Sequence, residues 1–393
     1  MTKQNGFDIA TTAQRLRRYA YIEKQCLKIS AGWFLRAPAY ETKYAFAYHL
    51  WDHAEHVTWL RNRLKELRGG NPDASPEPAL VTLMSEALHA PSADALIHGL
   101  YGVVKRELLA TYKRHIAEAD RAANASEVRM LGRLASDLET QLAWYDGLDL
   151  TPADDWREHV NDLLDRAGGV TGEQDITSSE PLLPFKSERF VRPKQIHFDE
   201  RIRRGELTPY DVRQTLEKDR ATAEQFKVFF NEMYAAALLA SVIFDAADDK
   251  QPWEIYASIC HHFWDEARHS QFGAVRLKEL GYEPDVCDPI LYEQAESLPA
   301  LHRICYLALG LEIHFMSRKK PRVLEYKNAG DERSQLFADH DWSDEINHVR
   351  YGKAWVDYWL EDDFRTVEDI QAEIREHLAA ATGTSQEVIS TPF

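Results

Sequence analysis

Apolar side chains recur at three- and four-residue spacing near 9–31, 41–68, 92–121, 124–147, 207–246, 253–281, 297–328, 331–360 and 366–380. That is the period of helices that bury one face. No segment alternates β-branched and polar residues as a half-buried strand would, so the pattern predicts an all-α chain. Start signals agree with the periodicity. Thr208-Pro209 and Pro252-Trp253 put proline at or just before a first helical turn, and Thr366 with Asp369 forms a capping-box pair. Turn-forming residues cluster at Gly69-Gly70-Asn71-Pro72 and from Gly168 to Pro193. The second cluster is the natural boundary. It gives a helical domain over 1–150, a connecting segment over 151–205 with one short helix, a second helical domain over 206–375 and a polar tail over 376–393.

The two halves repeat one another. Tyr48–Leu67 laid against His261–Leu280 without gaps matches at ten of twenty positions. The matches include His49/His262, Trp51/Trp264, Asp52/Asp265, His56/His269 and the string Arg63-Leu64-Lys65-Glu66-Leu67 against Arg276-Leu277-Lys278-Glu279-Leu280. With offsets changing by only a few residues, Glu23 falls against Glu232, Glu107 against Glu312 and Glu139 against Glu345. A duplicated helical unit is the economical explanation.

Composition narrows the function classes. With 64 acidic and 47 basic side chains the net charge is −17, which opposes phosphate backbones and anionic bilayers as partners. Arg201-Ile202-Arg203-Arg204 is too short to reverse that and reads as a solvated linker. The longest strongly apolar run, Tyr234 to Phe244, falls short of the roughly 20 residues that cross a bilayer, and residues 1–12 lack a basic-then-apolar leader. The expectation is a cytoplasmic protein without membrane or nucleic-acid partners. Cys26, Cys260, Cys287 and Cys305 lie far apart and read as buried thiols.

The candidate chemistry lies in the second half. Asp265-Glu266-Ala267-Arg268-His269 and Asp344-Glu345-Ile346-Asn347-His348 share the pattern Asp-Glu-x-x-His, which on a helix projects the Glu and the His from one face. Chance supplies two or three acid-x-x-His matches in a chain with 64 acids and 16 histidines, so the motif alone is weak. Context strengthens it: a lone glutamate, Glu232 or Glu312, precedes each motif by 34 or 33 residues. Four carboxylates and two imidazoles would balance two divalent cations and offer oxygen and nitrogen donors suited to iron or manganese. His262 and His314 read as core neighbours. Around the lone glutamates, Val228, Phe229, Ala235 and Ala236, and Ala308, Leu309, Phe315 and Met316, form apolar stripes. They read first as core and second as the wall of a substrate pocket.

The six ligand candidates resemble those of the ferritin-like di-iron carboxylate superfamily, where two bundle helices each supply a Glu and two supply Glu-x-x-His. The resemblance covers about 207–360 and, in degenerate form, 9–147. It implies two tandem ferritin-like four-helix bundles, the second holding metal through Glu232, Glu266, His269, Glu312, Glu345 and His348. Either Glu266 or Glu345 would bridge, and Asp265 and Asp344 would orient the ligand histidines. The cofactor implied is two Fe ions, with Mn or mixed Mn/Fe as alternatives. The activity implied is an O2-dependent di-iron oxidase or oxygenase on a small organic substrate, drawing electrons from a ferredoxin or flavin reductase. Redox detoxification of the manganese-catalase or ferroxidase type, and a non-catalytic helical scaffold, are the alternatives. A homodimer is left open.

Overall fold

The computed structural model describes residues 6–176, 184–185, 187–198, 200–249 and 251–382, without the side chains of 381 and 382. Helix accounts for 72% and strand for 1%, the all-α outcome that the periodicity predicts. The chain divides into two compact units. One comprises Met1–Ser30 with His49–Val191, the other Ala31–Tyr48 with Arg192–Phe393. Helices α1 (Ile9–Arg36) and α2 (Tyr40–Glu66) therefore contribute residues to both. A boundary read only from the turn-rich stretch overlooks this, because long-range packing sets it. Phe34 packs edge-on against Phe263 and Tyr40 against Phe230, while the Tyr44 hydroxyl lies 3.1 Å from Ser270 Oγ.

The first unit continues through α3 (Pro78–Leu88), α4 (Ala93–Gly99), a π-helical turn over Leu100–Lys105, α5 (Arg106–Glu118), α6 (Ala125–Asp146) and α7 (Asp154–Arg166). In it, α5 packs on α6 and α3 on α7.

The second unit holds a two-residue parallel pairing of β1 (Arg203–Arg204) with β2 (Val286–Cys287). Its helices are α8 (Tyr210–Arg213), α9 (Lys218–Asn231), α10 (Met233–Asp245), α11 (Trp253–Glu279), α12 (Ile290–Ala295) and α13 (Ala300–Ile304). A second π-helical segment, Cys305–Glu312, leads into α14 (Ile313–Ala329), followed by α15 (Glu332–Leu360) and α16 (Val367–Thr382). Helix α11 is central, packing against α9, α10 and α15, and α14 packs on α15. Gly273 allows the closest of these approaches: a Cβ there would sit 2.2 Å from the backbone N of Phe230 on α9.

Three expectations change in detail. The helix expected over 207–246 is three pieces, interrupted after α8 and again at Glu232, whose ψ of −7° ends α9. Helix α16 extends past 376 with Leu378 buried, and the tail from 383 lies outside the described residues. Lys218–Asp245 is long and apolar enough to cross a membrane by length and composition, although 72% of the qualifying window is buried within the protein. A core helix shows the same composition. The Thr366 cap forms, with Asp369 N donating to Thr366 Oγ1 at 3.2 Å and Thr366 N to Asp369 Oδ2 at 2.8 Å. All four cysteines are buried and none is in a disulfide.

Candidate metal centre

Four segments bring acids and imidazoles to one buried place in the second unit. The break between α9 and α10 delivers Glu232, α11 delivers Glu266 and His269, the end of the π segment delivers Glu312, and α15 delivers Glu345 and His348. Their donor atoms form overlapping groups, each within 4.8 Å: His262, Glu266, Glu312 and His348; Glu232, His269 and Asp341; and Glu266, His269 and Glu345. Glu266 and His269 are each common to two groups, and of the two only the carboxylate has a pair of oxygens with which it could bridge. His348 Nδ1 lies 3.2 Å from Glu266 Oε1, and His269 Nδ1 lies 3.3 Å from Glu232 Oε2.

The opposite ring edges are held crosswise. His348 Nε2 is 3.2 Å from Asp265 Oδ2 on α11, and His269 Nε2 is 3.1 Å from Asp344 Oδ2 on α15. Arg268 ties the two aspartates together, donating to both. With Nε2 facing a carboxylate, each Nδ1 lone pair is free to point inward.

Two further donors and one cation stand in the cluster. His262 Nε2 is 2.7 Å from Glu312 Oε1, and its ring stacks on His348 at 3.8 Å. It lies one turn before Glu266, a spacing that marked the position without deciding whether the ring faced the core or the acids. Asp341, one turn before Glu345, is fully buried; nothing in the motif singled it out. Lys319 Nζ lies 2.7 Å from both Asp341 Oδ1 and Glu345 Oε1. Five carboxylates and one ammonium leave about four negative charges, the number that two divalent cations neutralise.

The donor set fits cations on a second ground. Glu232 Oε2, Glu312 Oε2, Asp341 Oδ2 and Glu345 Oε2 are buried without a hydrogen-bond partner, and His269 and His348 turn Nδ1 toward Glu232 and Glu266. Orphan lone pairs at that density are costly unless something positive meets them. Protons answer in part. Burial raises Glu232 to about 7 and Glu345 to about 8, with Asp341 adding repulsion at both. Although burial alone would lower His348, its bonds to Asp265 and Glu266 raise it to about 10.

A cavity of about 470 Å³ opens onto Glu232, Glu266, Glu312 and Glu345. Of the eight residues expected to wall a pocket, Val228, Ala235 and Phe315 line it. Phe229, Ala236 and Ala308 are instead fully buried core, and Leu309 and Met316 are not part of the lining. The π segment explains the shift on its side. Its wider turn aligns residues five apart, so Leu307 joins Glu312 on the cavity face where a 3.6-residue period selects Ala308 and Leu309.

Compared with protein-family models, curated proteins and solved structures, the chain matches none. The informative comparison is therefore internal.

In the first unit, Glu23, His53 and His56 form a buried cluster to which Tyr112 donates at 2.8 Å. His56 Nε2 is 3.2 Å from Asp137 Oδ2, repeating the His269–Asp344 contact, and Gln141 Nε2 donates to Asp52 Oδ2 at 2.9 Å, repeating His348–Asp265. Both repeats give a last-helix offset of 207, one more than the match of Glu139 to Glu345. The structure corrects that match: Glu139 is exposed and paired with Lys113. Leu134, Leu138 and Gln141 fall against Asp341, Glu345 and His348, and all three are buried. Helices starting at Ala93 and Ala300 share the offset, which sets Lys105 against Glu312. Glu107 is partly exposed and bonded to Arg114. Lys105 Nζ lies 2.8 Å from Gln141 Oε1 and 3.8 Å from the Tyr101 ring centre. An ammonium and an amide thus stand in the first unit where the second has Glu312 and His348.

Proposed function

We propose that the chain is a tandem pair of ferritin-like four-helix bundles in which the second binds two irons and catalyses O2-dependent oxidation of a small organic molecule. What supports this reading most is the convergence of four buried carboxylate oxygens without a hydrogen-bond partner, and of the inward Nδ1 atoms of His269 and His348, from four helical segments. The adjoining cavity adds room for a substrate beside Glu232 and Glu266.

A carboxylate-bridged iron pair held there would supply electrons to O2 and oxidise what lies next to it. The protein's own part is positional and electrostatic. Glu266 would join the two cation positions, and His262, Glu312 and His348 would complete one. Glu232, His269 and Asp341 would complete the other, with Glu345 between them. Asp265 and Asp344 hold the imidazoles in the tautomer that presents Nδ1. Lys319 offsets the fifth carboxylate and holds a proton at Nζ beside Asp341 and Glu345. Renewed turnover calls for an external donor such as a ferredoxin or flavin reductase.

Anaerobic loading with Fe(II) followed by O2 tests the reading. About two irons per chain and a transient visible band are expected. Absence of stoichiometric iron would remove it, and manganese with peroxide disproportionation would replace it by a detoxifying role.

A further inference from the structure

The cavity has an edge that the metal ligands do not use. Arg213, Arg318 and Arg322 all line it. In a chain of net charge −17, three guanidinium groups gathered at one cavity need a reason, since they repel one another. Among the described residues none of the three is in an ion pair. Arg213 is only 8% exposed; one of its nitrogens donates to Thr208 O, and its Nε is buried without a partner. Burial and the charges of Arg322 and Arg318 lower its proton affinity. Arg318 lies over the rings of Tyr210 and Phe315 at 4.4 and 5.0 Å, and Arg322 over Phe229 at 5.8 Å, contacts that fix the guanidinium planes while leaving donors available.

Nearby acids are otherwise engaged. Glu224 takes bonds from Thr208 and Lys227, and Asp288 accepts from the backbone N of Ile290. On α14, Arg318 and Arg322 lie six and ten residues beyond Glu312, about 9 and 15 Å along the axis. The same cavity is lined by the apolar side chains of Val228, Leu307, Leu311 and Phe315, of which Phe315 falls between Glu312 and Arg318 along the chain.

The geometry points to an anion subsite: Arg213, Arg318 and Arg322 bind the carboxylate of an amphiphilic organic acid whose apolar body extends toward Glu232 and Glu312. This deepens the substrate-site reading given above and rests on it for the role of the cavity, but binding at the subsite needs no metal. Guanidinium pairs meet carboxylate oxygens two at a time. They also disfavour the neutral amide, which keeps one acceptor oxygen but turns an NH2 donor toward guanidinium donors and carries no charge.

The test titrates the full-length protein calorimetrically with octanoate and 4-phenylbutyrate and with their neutral amides, at low and high salt, with metal content measured in parallel. The expected result is at least ~10-fold tighter binding of one or both acids than of the matching amide, weakening with salt. Arg318→Gln/Arg322→Gln, two partly exposed positions, should remove the preference with unchanged metal content and thermal unfolding. Acid and amide binding alike, no binding of either acid, or a preference that survives the double substitution would each overturn the subsite. Acid preference in a protein that binds no iron would keep the subsite and remove the di-iron reading; two irons per chain without acid preference would do the reverse.

Discussion

At the scale of single residues, the centre makes graded demands. Glu266 stands in two donor groups and His262 in one, so the two substitutions should differ in count rather than degree. Glu266→Ala should leave the protein without stoichiometric metal, whereas His262→Ala should retain about one ion per chain, as measured by elemental analysis with helicity unchanged. Equal loss in both would remove the shared-carboxylate assignment. In the first unit, Gln141→Leu strands Lys105 Nζ and Asp52 together and should cost about 1–3 kcal/mol. Glu139→Ala, exposed and paired only with Lys113, should stay within about 0.5 kcal/mol in chemical denaturation. Lys105 adds a pH dependence. Burial lowers it from 10.5 to about 8, so between those values the unfolded chain holds a proton that the folded chain has released. Stability should rise with pH across that window and show no Lys105 contribution below it. Lys105→Met should flatten the rise; an unchanged profile would mean that the ammonium is not buried in solution.

At the scale of elements, the centre depends on how closely α9 and α11 cross. Gly273 follows His269 by one turn, and a Cβ there would meet the Phe230 backbone N at 2.2 Å and the Phe226 carbonyl oxygen at 2.7 Å. Backbone cannot yield as a side-chain tip can. Gly273→Ala should therefore part the helices, cost about 3 kcal/mol or more and weaken metal retention by drawing Glu232 away from His269. A thermal melt with metal analysis reads both effects, and a neutral substitution would mean that α9 has room to shift. Much at this scale was legible in advance. Helices over 253–281 and 331–360 were marked by their periodicity and by Pro252, and their Glu-x-x-His faces followed from the spacing of three. The π segments were not legible: an extra residue per turn leaves no composition signal, and it altered which residues face the cavity. Asp341 escaped for a related reason, since an acid one turn from a motif looks like any solvated acid until a partner helix covers it.

For the whole molecule, the repeat and the division into units do not share a boundary. Ala31–Tyr48 belong with Arg192–Phe393, where Phe34, Tyr40 and Tyr44 are buried. A chain starting at 192 would lose these rings and expose Phe230 and Phe263, at several kcal/mol for each large side chain removed. It should express poorly or melt well below the full-length protein. A soluble, cooperatively folding fragment 192–393 would overturn that packing argument.

The sequence by itself determined the helical class and the repeat, and it marked the six acid and imidazole positions that the fold brings together, because helical period and spacing act locally and leave a trace in residue order. Only the tertiary structure decided that Lys319 and Asp341 enter the cluster, that His262 turns toward Glu312, that the first unit sets Lys105 and Gln141 where the second sets Glu312 and His348, and that three arginines face one cavity. Those are meetings between segments far apart in the chain. Their energies come from burial and from charges brought within a few ångströms, and neither exists until the helices have packed.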